Sequence, residues 1–363
     1  MPVNSRRSRT GLQQQGAERG PTGDVSVSRK ADHLRINIEQ DVRAKGISAG
    51  FERFRFLHCA LPEIALDDVD LAVTCFGRTL RAPVLISSMT GGTPEAAVVN
   101  RMLAAVAQEF GFAMGLGSGR VMLEEPRTRE SFDVRSVAPD VLLFANLGAV
   151  QLNKGYGAAQ CRRMIELVGA DALMLHLNPL QEALQPEGDT DFRGLLARIA
   201  SLCRELEVPV LVKEVGWGLR ADIVRALFDA GVAGVDVAGA GGTSWSEVER
   251  HRTQEHWRVR VAAQFAGWGI PTAQCVAQAR GVAPGGFVIA SGGIRDGLDA
   301  AKAIALGADL AGIAGPFLRA AARGAEDVRS LSREIVEVLR ITMFAVGLRS
   351  IEELKSSDVL VPA

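Results

Sequence analysis

The chain has 363 residues and balances 41 Lys and Arg against 42 Asp and Glu, a formal charge of −1 that excludes the global basic field needed to recruit nucleic acid or an anionic membrane. Hydrophobic residues at 47% with 39 Gly and only 5% aromatics describe a core of aliphatic strands and tight glycine turns, a soluble α/β enzyme of one large domain with tails. Five scattered cysteines, without a C-x-x-C pair or clustered His, exclude a zinc site and a disulfide framework and fit a reducing cytoplasm.

Residues 1–28 are rich in Arg, Ser, Gly and Gln and lack the apolar centre of a signal peptide; they read as a disordered tail. No later stretch offers the ~20 apolar residues of a membrane span. Residues 29–82 form an N-terminal arm and barrel-closing segment, with Phe51 to Phe56 and the runs Leu71–Thr74 and Thr79–Ala82 suited to a hairpin under a barrel and an arm reaching its top.

From residue 83 to 350 short aliphatic runs alternate with amphipathic stretches. The runs are Val84–Ser88, Phe112–Leu116, Val141–Ala145, Ala172–His176, Val210–Lys213, Gly234–Val237, Phe287–Ala290 and Leu310–Ile313. Helices are predicted at Glu95–Phe110, Gly157–Val168, Phe192–Glu207, Arg220–Ala230, Thr272–Arg280, Asp296–Leu306 and near Glu326–Phe344, and Glu124–Val137 is the weakest of the helical stretches. Eight strands with intervening helices predict a (β/α)8 TIM barrel with an N-terminal extension rather than an open doubly wound sheet. Residues 351–363 are expected to be a C-terminal tail, and no repeat at a solenoid period is visible.

In such barrels the chemistry sits where strands end. Here those ends read Ser87-Ser88-Met89-Thr90-Gly91-Gly92, Gly117-Ser118-Gly119-Arg120, Asn146, His176, Lys213-Glu214, Asp236 with Gly239 to Thr243, Ser291-Gly292-Gly293-Ile294-Arg295, and Gly312 to Gly315. Strand starts such as Arg81-Ala82-Pro83 and Val208-Pro209 carry no comparable set, so one face of the barrel is marked as the active one.

The segment His176-Leu-Asn-Pro-Leu-Gln-Glu182 follows the apolar run Ala172–Leu175, and so much polarity at a core strand's end calls for a ligand. Ser291 to Arg295 opens a helix after the seventh strand, where glycines admit backbone N–H groups to an oxyanion, and with Ala314-Gly315 it occupies the usual phosphate position of these barrels. Lys213 ends an aliphatic strand, so its ammonium needs an anionic partner: a reduced flavin near N1, or Asp236 at the next strand end. Trp245 reads as loop padding.

These residues resemble the type II, FMN-dependent isopentenyl diphosphate isomerases. The resemblance is carried by Arg29-Lys30-x-x-His33, Met89-Thr90-Gly91-Gly92, Ala145-Asn146-Leu147-Gly148, the His176–Glu182 string, Lys213-Glu214-Val-Gly216, Gly239-Ala-Gly-Gly-Thr-Ser-Trp245 and Ser291-Gly-Gly-Ile-Arg295. It implies FMN contacts at Met89, Thr90, Ser118, Asn146, Lys213, Thr243, Gly293, Arg295, Ala314 and Gly315. It implies substrate contacts at Arg29, Lys30, His33, His176, Asn178 and Gln181, with Mg²⁺ held by Glu182 against the diphosphate. Gln181, His176 and Lys213 are the expected catalytic residues, Gln181 orienting substrate rather than exchanging protons. NADPH as reductant of the flavin and a homo-oligomer, tetramer or octamer, are implied as well.

Two departures stand out: Gly119 where many members carry Gln, and Ala238 where many carry Ser, so altered affinity rather than lost activity is expected. An FMN-dependent 2-hydroxy-acid oxidase would need a His base near the end of the sixth strand, where this chain has Val237-Ala238-Gly239. A non-catalytic flavin-binding protein would leave Gln181, Glu182 and the cationic arm without a role.

Overall fold

The computed structural model describes residues 22 to 363. Of the expected tail, residues 1–21 lie outside the described residues, while Thr22–Glu39 is the first helix. Its C-terminal half is anchored by Ile36, which packs with Val42, Val248 and Trp245.

The strands are β1 (Phe54–Phe56), β2 (Val73–Cys75), β3 (Arg78–Leu80), β4 (Val84–Ile86), β5 (Ala113–Gly115), β6 (Leu143–Gly148), β7 (Ala172–His176), β8 (Val210–Lys213), β9 (Gly234–Asp236), β10 (Phe287–Ser291), β11 (Leu310–Ile313) and β12 (Leu360–Pro362). Strands β4 to β11 close into a parallel barrel in chain order, β11 pairing with β4. They coincide with the eight aliphatic runs, and the third run continues to Gly148 because Asn146 and Gly148 pair onward with Met174 and His176.

Glu124–Val137 is not one helix. Pro126 lacks the N–H that would continue the turn Arg120–Glu124, and a 3-10 segment, Pro126–Phe132, follows and buries Phe132. The segment 351–363 is not a tail either. Ser350 caps the helix Ile351–Ser356, which buries Ile351 and Leu354, and β12 then pairs antiparallel with β1. The apolar run Val359–Val361 is too short to announce a strand, and its partner lies some 300 residues earlier in the chain.

Under the barrel, β2 and β3 form the expected hairpin, turning at Phe76 (φ 48°) and Gly77 (φ 76°). Both positive angles suit the two-residue turn that matches strand twist. Phe76 is held there edge-on against Phe144 and Phe287, centroids 6.2 and 4.7 Å away.

Side chains alternate in and out of the barrel wall. The lower inward layer is apolar: Leu85, Ala113, Phe144, Met174, Leu211, Ile289 and Leu310 pack with Cys75 and Leu80 of the hairpin. Two residues further along the same strands, the inward positions are Ser87, Gly115, Asn146, His176, Lys213, Asp236, Ser291 and Gly312. One layer thus switches the interior from wholly apolar to polar or glycine, and that layer is the floor of the site.

The barrel's lower rim is locked twice by one device. Arg135 donates to the carbonyls of Ala138, Pro139, Val141 and Gly169 and to Asp171, whose carboxylate also accepts from Leu143 N–H. Arg280 donates to the carbonyls of Ala283, Pro284, Gly286 and Gly307 and to Asp309, which accepts from Val288 N–H.

Candidate active site

A cavity of about 300 Å³ opens at the C-terminal end of the barrel, and every candidate residue from Arg29 to Gly315 lines it. Three sources build it: the polar floor, the strand-to-helix loops, and the N-terminal helix laid over the mouth.

The helix is fastened by the three residues singled out in the arm. Arg29 Nη1 donates to Gln185 Oε1 at 3.0 Å, Lys30 Nζ to the Ser118 carbonyl at 2.7 Å, and His33 Nε2 to Glu249 Oε1 at 3.0 Å. Burial, then the Arg29 and Arg120 charges, push the Lys30 ammonium down to about 7, and burial with Arg120 also lowers Arg29. A cluster of buried cations that depress one another is a site built for an anion.

The strand-end segment after β7 forms a connected network. Asn178 Nδ2 donates to Gln181 Oε1 (3.1 Å) and Glu182 Oε1 (2.8 Å), Glu182 Oε2 accepts from Asp189 N–H (2.7 Å), and Gln181 Nε2 donates to Glu249 Oε1 (3.2 Å). His176 Nδ1 lies 2.8 Å from Asn146 Oδ1, and burial, followed by the charges of Lys213, Lys30 and Arg29, drives its imidazole down to about 3. His176 is therefore neutral at working pH and serves as a hydrogen-bonding group, not a cation.

Lys213 is buried and donates to the Glu214 carbonyl at 2.5 Å. The Glu214 carboxylate faces away from the cavity floor and accepts from the N–H groups of Val215, Gly216, Trp217 and Gly218. Burial pushes it up to about 7 against those donors.

The floor and the far wall fit a flavin mononucleotide. Ser87 Oγ and Ser88 Oγ, which line the cavity, are buried with no hydrogen-bond partner among the described residues, and so is Oδ2 of Asp236, which lies behind the lining residue Ser291. Gly293 (φ +76°) stands where a Cβ would lie 2.8 Å from both Ala49 and Gly241, so its loop packs against Gly241 with backbone alone. Beside it, the helix Gly315–Arg323 begins at the cavity wall and adds N–H donors and a positive dipole end for a phosphate. Ala238, expected only to lack a hydroxyl, also adopts φ 37° and donates its N–H to Asp236 Oδ1.

The comparisons decide the family. Isopentenyl-diphosphate delta-isomerases of Nostoc sp. and Synechococcus sp. are 51% and 54% identical to the chain over 92% of its length, covering 95% and 96% of their own. The chain belongs to the isopentenyl-diphosphate delta-isomerase family. A profile for FMN-dependent dehydrogenases also matches residues 172–361, the half that holds the glycine loops. An arginine-to-lysine mutant of flavocytochrome b2 (TM-score 0.67, 17% identity, 93% of this chain and 85% of that one) shares the fold. So does a Pediococcus acidilactici lactate oxidase (TM-score 0.65, 17% identity, 94% and 93%).

Within this isomerase family member, four residues in or directly behind the cavity wall carry more than local pattern suggested. Glu249 joins His33, Gln181 and Arg252, and burial, which would raise its carboxyl, is outweighed by His33 and Arg252 so that it sits below the usual range. Trp245 is no padding: its ring meets His33 edge-on at 5.1 Å. Arg120 and Gln185 line the cavity on the side of Arg29. The signal was helical: Trp245 and Glu249 are four apart on Trp245–Arg252 and so share a face.

Proposed function

We infer that this protein interconverts isopentenyl and dimethylallyl diphosphate, with reduced FMN on the barrel floor and Mg²⁺ on the diphosphate. The observation that carries the reading is the arm: Arg29, Lys30 and His33 are brought over a cavity whose floor and glycine loops suit FMN, giving two anion-binding ends to one site. When bound, reduced FMN supplies the acid/base chemistry at the reacting carbons.

The chain's own groups bind and orient. Arg29, Lys30 and Arg120 take the diphosphate, each charge-assisted bond contributing ~1.5–3 kcal/mol. His176 reaches an oxyanion with Nε2–H once Asn146 turns its amide to donate to Nδ1. Glu182 presents one hard carboxylate to Mg²⁺, which completes its shell with phosphate oxygens and water. Gln181, fixed between Asn178 and Glu249, lies against the substrate and sets its pose. The closing helix keeps water out, and Lys213 supports negative charge on the flavin ring. NADPH as the physiological reductant and a tetrameric or octameric assembly belong to the same reading.

An oxidase of 2-hydroxy acids is disfavoured by the end of β9, where Val237-Ala238-Gly239 offers no base. The test is anaerobic: one equivalent of dithionite per flavin should support many turnovers with Mg²⁺, and solvent deuterium should enter the product. Consumption of NADPH one for one with product would make the protein an oxidoreductase instead.

A further inference from the structure

The barrel floor contains one carboxylate that neither the substrate nor the phosphate end uses. Asp236 is fully buried; its Oδ1 accepts from Ser291 Oγ at 2.6 Å and from Ala238 N–H at 3.2 Å, while Oδ2 has no hydrogen-bond partner among the described residues. Holding Ser291 and the left-handed turn at Ala238 requires Oδ1 alone, which an asparagine would supply equally well. A second, orphaned oxygen in a buried layer is costly unless its proton affinity is used.

Its surroundings say what that use is. Asp236 pairs in register with Lys213 across β8 and β9, and β10 on the other side contributes only the neutral Ser291. Beyond Lys213 stands neutral His176, and Glu214 is turned to the N–H groups of residues 215–218. With a neutral oxidised isoalloxazine above it, the layer holds one cation and one anion. Two-electron reduction to a flavin carrying a proton at N5 and none at N1 adds a second anion, and a net buried charge would be left without a partner.

We propose that Asp236 is a positioning residue for flavin charge: without a direct ion pair, its carboxylate balances the Lys213 charge within the layer while the flavin is oxidised, and on reduction it takes a proton from solvent at Oδ2 and leaves the Lys213 charge to the flavin. This rests on the FMN reading above. The balance is two electrons from the reductant and two protons from water, one to N5 and one to Asp236. Burial already raises the Asp236 carboxyl, against the opposing pull of Lys213 and Ser291, so loss of the Lys213 charge to the flavin moves it in the required direction.

The experiment is the pH dependence of the midpoint potential of the FMN-loaded protein, which counts protons per two electrons. Two are expected for the wild type over a neutral range, and one for Asp236→Asn, which keeps the Oδ1 acceptor. The variant's potential should also rise, because a buried negative charge has gone. One proton in the wild type overturns the proposal, as does two in both proteins, which would put the proton on N1. Should Asp236→Asn not fold, Ser291→Ala removes a donor to the ionised form and must move the lower pH limit of the two-proton range upward; an unmoved limit overturns the proposal. A chain that binds no FMN at all would instead refute the cofactor reading.

Discussion

Glu249→Gln is the sharpest test of the arm. One oxygen of Glu249 accepts from both His33 and Gln181, and the other from Arg252 at 2.8 Å. An amide of the same shape turns one of those atoms into a donor. Either Arg252 then faces an N–H, or His33 and Gln181 do. Replacing a charge-assisted acceptor by a neutral one costs about 1 kcal/mol per bond, and a donor set against a donor costs about 1–3 kcal/mol more. Arg252 retains Glu187 at 2.8 Å, so no charge is left without a partner and the penalty stops there. With Arg252 facing the N–H, two weakened bonds and one opposed donor sum to ~3–5 kcal/mol, borne by arm docking and Gln181 placement, which corresponds to a fall in kcat/KM of roughly 150- to 4000-fold. Steady-state kinetics should show this with FMN content unchanged, and trypsin should cut more readily at Arg29, Lys30 and Arg35. If kcat/KM stays within about threefold of wild type and the arm remains protected, Glu249 is not its anchor.

Glu182→Gln is expected to lower the rate severely at ordinary Mg²⁺ while FMN stays bound, because a neutral amide is a poor ligand for a hard dication; an unchanged Mg²⁺ dependence would remove Glu182 from the metal. Deleting residues through 35 takes away Arg29, Lys30 and His33 and should raise KM sharply without loss of flavin, measured against a chain lacking only what precedes Thr22. Lys30, held at about 7 by burial and the charges of Arg29 and Arg120, should gain a proton when a diphosphate binds. Binding is then accompanied by proton uptake above about pH 7 and by little below it, read by calorimetry in buffers of different ionisation heat, and Lys30→Met should abolish the effect. The same group links to stability in a defined direction. The unfolded chain binds more protons between about 7 and 10.5, so the penalty of burying Lys30 is full below that window and fades as pH rises through it.

The barrel was legible because parallel strands buried on both faces read as aliphatic runs, and all eight coincide with a run. The cavity set was legible because polar groups at strand ends have few structural reasons to be there. What escaped was set by distance rather than by pattern. Glu249 lies on a helix that period-2 reading of strand ends does not reach, and its importance comes from His33, 216 residues earlier. The C-terminal strand escaped for the same reason, since Val361 pairs with Arg55 and nothing local announces it. Pro126 was the local signal against a long helix at 124–137, and the charged, helix-favouring text around it, Glu124, Glu125, Arg127, Arg129 and Glu130, concealed its effect.

The two arginine locks on the lower rim repeat one another contact for contact: the carbonyls lie three, four and six residues beyond Arg135 and again beyond Arg280, and the text R-x-V-A-P recurs at both. Superposing them aligns β6 with β10 and β7 with β11, four strands apart in an eight-stranded ring. The scaffold thus carries one bracing device at two places half a turn apart, and the strand ends above the two differ. Asn146 then corresponds to Ser291 and His176 to Ala314. Above one brace the strand ends are small residues and glycines, Ser291 to Gly293 and Ala314 to Gly315, which leave backbone N–H groups open to the cavity. Above the other, the equivalent positions carry the imidazole of His176 and the carboxamide of Asn146, so that one repeated frame presents two chemically different ends to a single cavity.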